Sequence, residues 1–112
     1  MTLDLYQVTL HYSDGNTKTL TKDCADIIFR PYDLIKNKSK INKNNYDLVN
    51  TFTVDTIHPM EALETMFNKF NSNEGYSHRS MTTSDVVAIH SELEGTVYCY
   101  CDFCGWVRLK NF

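Results

Sequence analysis

Residues 85–112 read DVVAIHSELEGTVYCYCDFCGWVRLKNF. Residues 85–90, DVVAIH, carry Val and Ile and read as a strand. Residues 91–95 supply turn chemistry, and 96–102, TVYCYCD, return with Val and Tyr. Phe103-Cys104-Gly105 turns again, and Trp106–Phe112 makes a last short strand. Strands joined by so few residues must pair antiparallel, because a parallel partner needs a crossover of roughly a dozen residues. This C-terminal meander sets the fold class, and the rest of the chain is read against it.

Upstream, residues 59–70, PMEALETMFNKF, have helical spacing. Met60, Leu63, Met66, Phe67 and Phe70 form one apolar stripe. Pro59 suits the first helical position, and Glu61, Glu64 and Lys69 suit the helix dipole. Residues 71–84 read as a polar loop. Residues 47–57, DLVNTFTVDTI, alternate, with Leu48, Phe52 and Val54 on one side of a strand. Residues 36–45, KNKSKINKNN, show no periodicity and are expected to be an exposed, mobile loop. Asp23 is expected to cap a short helix over residues 25–29, which Pro31 ends. Residues 3–12, LDLYQVTLHY, place Tyr6, Val8, Leu10 and Tyr12 on one strand face, with Asp4 in the same row. Ser13–Asn16 is a turn, and residues 17–22, TKTLTK, return. The expected fold is α+β: an antiparallel sheet of hairpins, one main helix packed on it, and a C-terminal zinc-knuckle meander. Residues 1–112 form a single domain.

The 112 residues are 42% hydrophobic and 22% charged, which fits one globular domain. No run approaches the roughly 18 apolar residues of a membrane-spanning helix. No basic segment followed by an apolar block opens the chain, so no signal peptide is expected and the expected location is cytoplasmic. Eleven Lys and Arg oppose 14 Asp and Glu. Setting aside Lys36, Lys38, Lys40 and Lys43 leaves 7 basic against 14 acidic residues, or −7. The body is acidic and carries one basic loop. Such a body suits a basic protein surface and is poorly suited to phosphate backbones, so no direct nucleic-acid binding is expected.

Four cysteines carry the clearest chemical signal: Cys24, Cys99, Cys101 and Cys104. Cys101-Asp102-Phe103-Cys104-Gly105 has the spacing of a zinc knuckle, in which a tight turn aims two thiolates at one metal. A tetrahedral site needs four ligands, so a structural Zn2+ held by Cys24, Cys99, Cys101 and Cys104 is expected. His78 or His90 is the alternative to Cys99, with His58 and His11 ranked behind them. A disulfide does not suit the cytosol, and a redox pair wants its first Cys at a helix N-terminus. No H-E-x-x-H, Walker or G-x-S-x-G motif occurs, and no enzymatic activity is expected. Tyr98, Tyr100, Phe103 and Trp106 read first as sheet packing and second as a partner-binding patch.

The segment from the helix to the C-terminus resembles the YodL-like family, small domains of Firmicutes and their mobile elements. The residues that carry the likeness are Met66–Asn71, Arg79-Ser80-Met81-Thr82-Thr83-Ser84-Asp85-Val86-Val87, the Tyr-rich strand ending at Asp102, and Gly105-Trp106. Cysteine at 99, 101 and 104 departs from the family's usual aliphatic or aromatic residues, so the metal rests on this sequence alone. The whole chain also resembles phage anti-CRISPR proteins that inhibit type II-A Cas9. That likeness implies stoichiometric inhibition by protein–protein binding in the host cytoplasm, obstructing the positively charged channel that holds nucleic acid. One alternative is a YodL-like accessory module that binds another host protein, such as a cytoskeletal component. The other is a small zinc-containing nucleic-acid binder that uses Lys36–Lys43.

Overall fold

The structure, a computed structural model, describes residues 1–13, 17–71, 81–103 and 105–112. Strands β1 (Thr2–Val8), β4 (Tyr46–Thr53), β5 (Val86–Ser91), β6 (Gly95–Asp102) and β7 (Gly105–Leu109) form one sheet in the order β4-β1-β5-β6-β7. Every neighbouring pair is antiparallel. A separate hairpin joins β2 (His11–Ser13) to β3 (Thr17–Thr19). A four-residue helix α1 (Lys22–Ala25), three 3-10 turns and the main helix α2 (Pro59–Asn71) complete the described fold. The expected α+β class, the C-terminal meander and the main helix are all present.

The meander's turns follow from its residues. Ser91 Oγ accepts hydrogen bonds from the N–H groups of Leu93 and Glu94, holding the turn between β5 and β6. Gly95 leaves that turn at φ 74, a backbone region that favours glycine. Gly105 opens β7 at φ 134, opposite Asp102.

One face of the sheet is covered by α2. Leu3, Leu5, Val87, Ile89, Val97 and Cys99 on this face pack against Ala62, Leu63 and Met66 of the helix. Met60 begins the expected stripe but is exposed. The buried stripe starts at Ala62.

The other face is also covered. Val8, Tyr46, Val86 and Tyr100 pack under Cys24, Ile27, Ile35 and Ile41. The segment from α1 to β4 therefore forms a second cover, and Val86–Ile89, buried throughout, lies between the two cores. Burial on both faces explains why these residues read as a continuous apolar run and do not alternate. The segment 36–45 is largely exposed, as expected of a loop, but it is not without local structure. It contains 3-10 turns at Lys38–Lys40 and Lys43–Asn45, and Ile41 is buried. Asn37 and Asn42 cap these turns with their side-chain oxygens, so the asparagines that suggested disorder organise the backbone locally.

Two further expectations change. The short helix runs over Lys22–Ala25, and Thr21 caps it: the Thr21 hydroxyl accepts from Cys24 N–H at 3.2 Å. Asp23 lies inside the helix instead. In β4, Leu48 does not share the side of Phe52. The ladder pairs Leu5 with Asn50 but Tyr6 with Leu48, leaving Val49 as an extra residue. A bulge of one residue reverses the side-chain alternation beyond it. Phe52 thus enters the helix-side core, Tyr46 enters the opposite core, and Leu48 is exposed. The turn expected at Ser13–Asn16 falls largely on residues 14–16, outside the described residues.

Candidate functional site

The structure separates the cysteines. Cys24 sits in the core beneath the second cover, and its thiol donates to the Asn45 carbonyl at 3.6 Å. Cys99 packs in the helix-side core on the opposite face. Cys101, two residues on, shares the face of Cys99 and lies opposite Trp106. The sheet therefore stands between Cys24 and the Cys99–Cys101 pair. Cys104 and His78 lie outside the described residues. His90 alternates with Ile89 and so also faces away from Cys99. His58 is exposed, and the His11 side chain falls outside the description. Among the described residues, no group of three His, Cys, Asp or Glu side chains could hold a metal ion. The described members of the expected ligand set do not converge on a tetrahedral Zn2+ site.

The thiols are also electronically quiet. Burial, followed by the nearby Asp85 and Asp102 charges, pushes Cys101 up to about 12. Burial likewise raises Cys99. Both are neutral thiols at pH 7, and a thiol without its thiolate is a poor nucleophile.

The Ser-Asp-Val-Val stretch, singled out in the sequence, proves to be a structural hub. Ser84 has φ 90, a strained conformation for a residue with a Cβ, which costs on the order of 1–3 kcal/mol. Its surroundings fix it from three sides. Its N–H donates to the Cys101 carbonyl, its hydroxyl oxygen accepts from Phe29 N–H, and its carbonyl accepts from Tyr46 O–H. The fully buried Asp85 carboxylate accepts from Gln7 Nε2 and Thr82 N–H, each at 3.0 Å. Asp102 Oδ1 accepts from Tyr32 N–H, and Tyr100 O–H donates to the Arg30 carbonyl. These bonds fasten the second cover to the sheet. A buried Asp between Ser and two valines was the available sequence signal, since an unpartnered carboxylate is rarely buried.

A second polar cluster crosses four strands. Thr51 O–H donates to Asp4 Oδ1, His90 Nε2 meets Asp4 Oδ2 at 2.8 Å, and His90 Nδ1 meets Thr96 Oγ1 at 3.2 Å. Burial raises the Asp4 pKa, but the His90 and Thr51 hydrogen bonds outweigh it and the net shift is downward. Sequence reading placed Asp4 in its row but did not connect it to His90.

Three of the four loop lysines are engaged within the fold. Lys40 bonds Asp26 and lies 3.4 Å from Asp23. Lys43 lies over the Tyr98 ring and reaches its hydroxyl. Lys38 donates to the Ile35 carbonyl and sits over Tyr32. The basic run clamps the cover down instead of projecting as a free cationic arm. The aromatic residues divide likewise. Tyr6, Tyr46 and Tyr98 surround Phe112 on one face, whereas Trp106 meets Phe67 on the other.

One surface does project. Where β4 leads into α2, beside the turn between β5 and β6, a hollow of about 370 Å3 is lined by Asp55, Ile57, His90, Glu92 and Leu93. Ile57 is 62% exposed and Leu93 71%. Asp55 and Glu92 form no ion pair among the described residues. This is an apolar patch with two carboxylates on its rim, beside the Met1 ammonium, which donates to the Val54 carbonyl.

No described helix is long and apolar enough to cross a membrane. No curated protein and no solved structure matches the chain, so the likeness to Cas9 inhibitors gains no support from known proteins. A family model, the YodL-like domain, matches residues 17–112. The match extends the resemblance back from the helix through β4 and the whole second cover, and the chain belongs to the YodL-like domain family.

Proposed function

We propose that this chain is a non-catalytic binding module that docks stoichiometrically on a basic surface of another protein. The observation that carries the reading is the acid-rimmed patch, with Ile57 and Leu93 exposed beside Asp55 and Glu92. Large apolar side chains in such a setting anchor an interface, and surrounding carboxylates steer a basic partner toward it. The engaged lysines favour a protein partner over nucleic acid, because Lys38, Lys40 and Lys43 are already committed within the fold. Type II-A Cas9 is the specific partner within this reading. Its nucleic-acid channel is positively charged, and a protein seated there would obstruct target DNA.

The test is co-elution with a type II-A Cas9–guide RNA complex on a sizing column. The expected result is a co-eluting complex that weakens as salt rises and disappears with Leu93→Asp or with Asp55→Lys/Glu92→Lys. Co-elution indifferent to these substitutions would remove the patch. Failure across several Cas9 orthologues would remove Cas9 and turn the search to other basic host proteins, cytoskeletal components among them.

A further inference from the structure

A second surface has the opposite character. Between α1 and the first 3-10 turn, Tyr32–Leu34, lies a cleft of about 450 Å3 lined by Lys22, Asp26, Arg30, Leu34, Lys36 and Lys40. Lys40 is neutralised by Asp26 and Asp23, and exposed Lys22 approaches Asp26 only to 4.0 Å. Arg30 and Lys36 make no ion pair among the described residues, and Leu34 is 65% exposed. A basic cleft with an exposed apolar side chain is an unexpected feature of a chain whose net charge is −3.

The cleft and the acid-rimmed patch lie at opposite ends of the sheet. Phe29 and Arg30, beside the cleft, are tied to Ser84 and Tyr100 near the Val86 end of β5. Leu93 sits on the turn beyond its Ser91 end. One molecule cannot join its own two surfaces. The surfaces are complementary in kind: Leu93 and Ile57 with Glu92 and Asp55 on one, Leu34 with Arg30 and Lys36 on the other.

We infer that the acid-rimmed patch of one copy docks in the basic cleft of a second copy, head to tail. Such a contact is heterologous, so it leaves one free patch and one free cleft in every open assembly. Each surface is small, and the contact belongs to the weak, concentration-dependent class. Self-association covers the patch assigned above to partner binding, so partner and second copy compete for it. The inference rests on the charges of the two surfaces and stands independently of the partner's identity.

The experiment is sedimentation equilibrium of the full chain at low salt, from about 10 μM to about 1 mM. The expected weight-average mass rises with concentration above the monomer's 13.0 kDa and returns to it in high salt. Arg30→Glu/Lys36→Glu and Asp55→Lys/Glu92→Lys are each expected to stay monomeric, with circular dichroism confirming that both are folded. An equimolar mixture of the two is expected to associate again, because the first retains the native patch and the second the native cleft. A monomer at all concentrations overturns the inference, as does association that survives either double reversal. Arg30→Glu/Lys36→Glu keeps the patch intact and should still capture a partner, which separates failure of self-association from failure of the partner reading.

Discussion

Asp4 shows how a single residue ties the fold to pH. Its carboxylate holds β1 to β4 through Thr51 and to β5 through His90. Those bonds place its folded pKa below the ordinary carboxylate value of roughly 3.9. A group with a depressed folded pKa contributes stability above its unfolded pKa and loses it as pH falls through the folded one. The native state should therefore weaken as pH drops below about 4, and Asp4→Asn should flatten that part of the profile. Urea midpoints measured from neutral to strongly acidic pH would check this, and superimposable acid limbs for variant and parent would contradict it. At this scale the sequence was partly legible. Cys101 and Cys104 were visible as a spacing, but spacing along one strand carries no information about which face Cys24 occupies. The distances that matter cross the sheet, where residues far apart in the chain become neighbours.

At the scale of elements, periodicity served well wherever one register held throughout. Helix α2 was legible from Leu63, Met66 and Phe67, and the meander from its turns. Strand β4 was not, because the bulge at Val49 changes which residues share a face without changing the alternation in the sequence. The bulge lets one strand feed both cores. Deleting Val49 would remove the bulge and leave Tyr46 and Phe52 an odd number of residues apart, so simple alternation would keep them on opposite faces. Tyr46 would keep its place beside Phe112 and its bond to the Ser84 carbonyl. The expected cost is small, about 1 kcal/mol for the half-buried Val49 side chain. Chemical denaturation of the deletion variant measures it, and a loss above about 3 kcal/mol would mean that the bulge itself holds the two cores in place. The segment 36–45 was legible as exposed but not as locally structured, for a related reason. Lys and Asn are common in loops, and only tertiary context shows Lys40 reaching Asp26 while Ile41 points inward.

The whole molecule is a sheet with unlike covers, a regular helix on one side and a chain of short turns on the other. Both covers bury apolar side chains against the same strands, so they should melt together. Ile41→Ala is expected to cost about 2–4 kcal/mol, as a truncation in a packed core does, with a single cooperative transition. A cost near zero, or an early separate transition, would show that the turns of the second cover come loose alone. The strand order carries a further consequence for how the molecule is made. β1 lies inside the sheet between β4 and β5, and Asp4 meets His90 at a sequence separation of 86. During translation β1 emerges first of the five strands, and its partner β5 emerges after the second cover and the helix. Contacts of such long sequence separation slow folding, and β1 leaves the ribosome with both hydrogen-bonding edges open. Until β4 and then β5 arrive, the nascent chain presents Leu3 and Leu5 to solvent, a window in which holding chaperones, or the rate of elongation itself, set the yield of native protein.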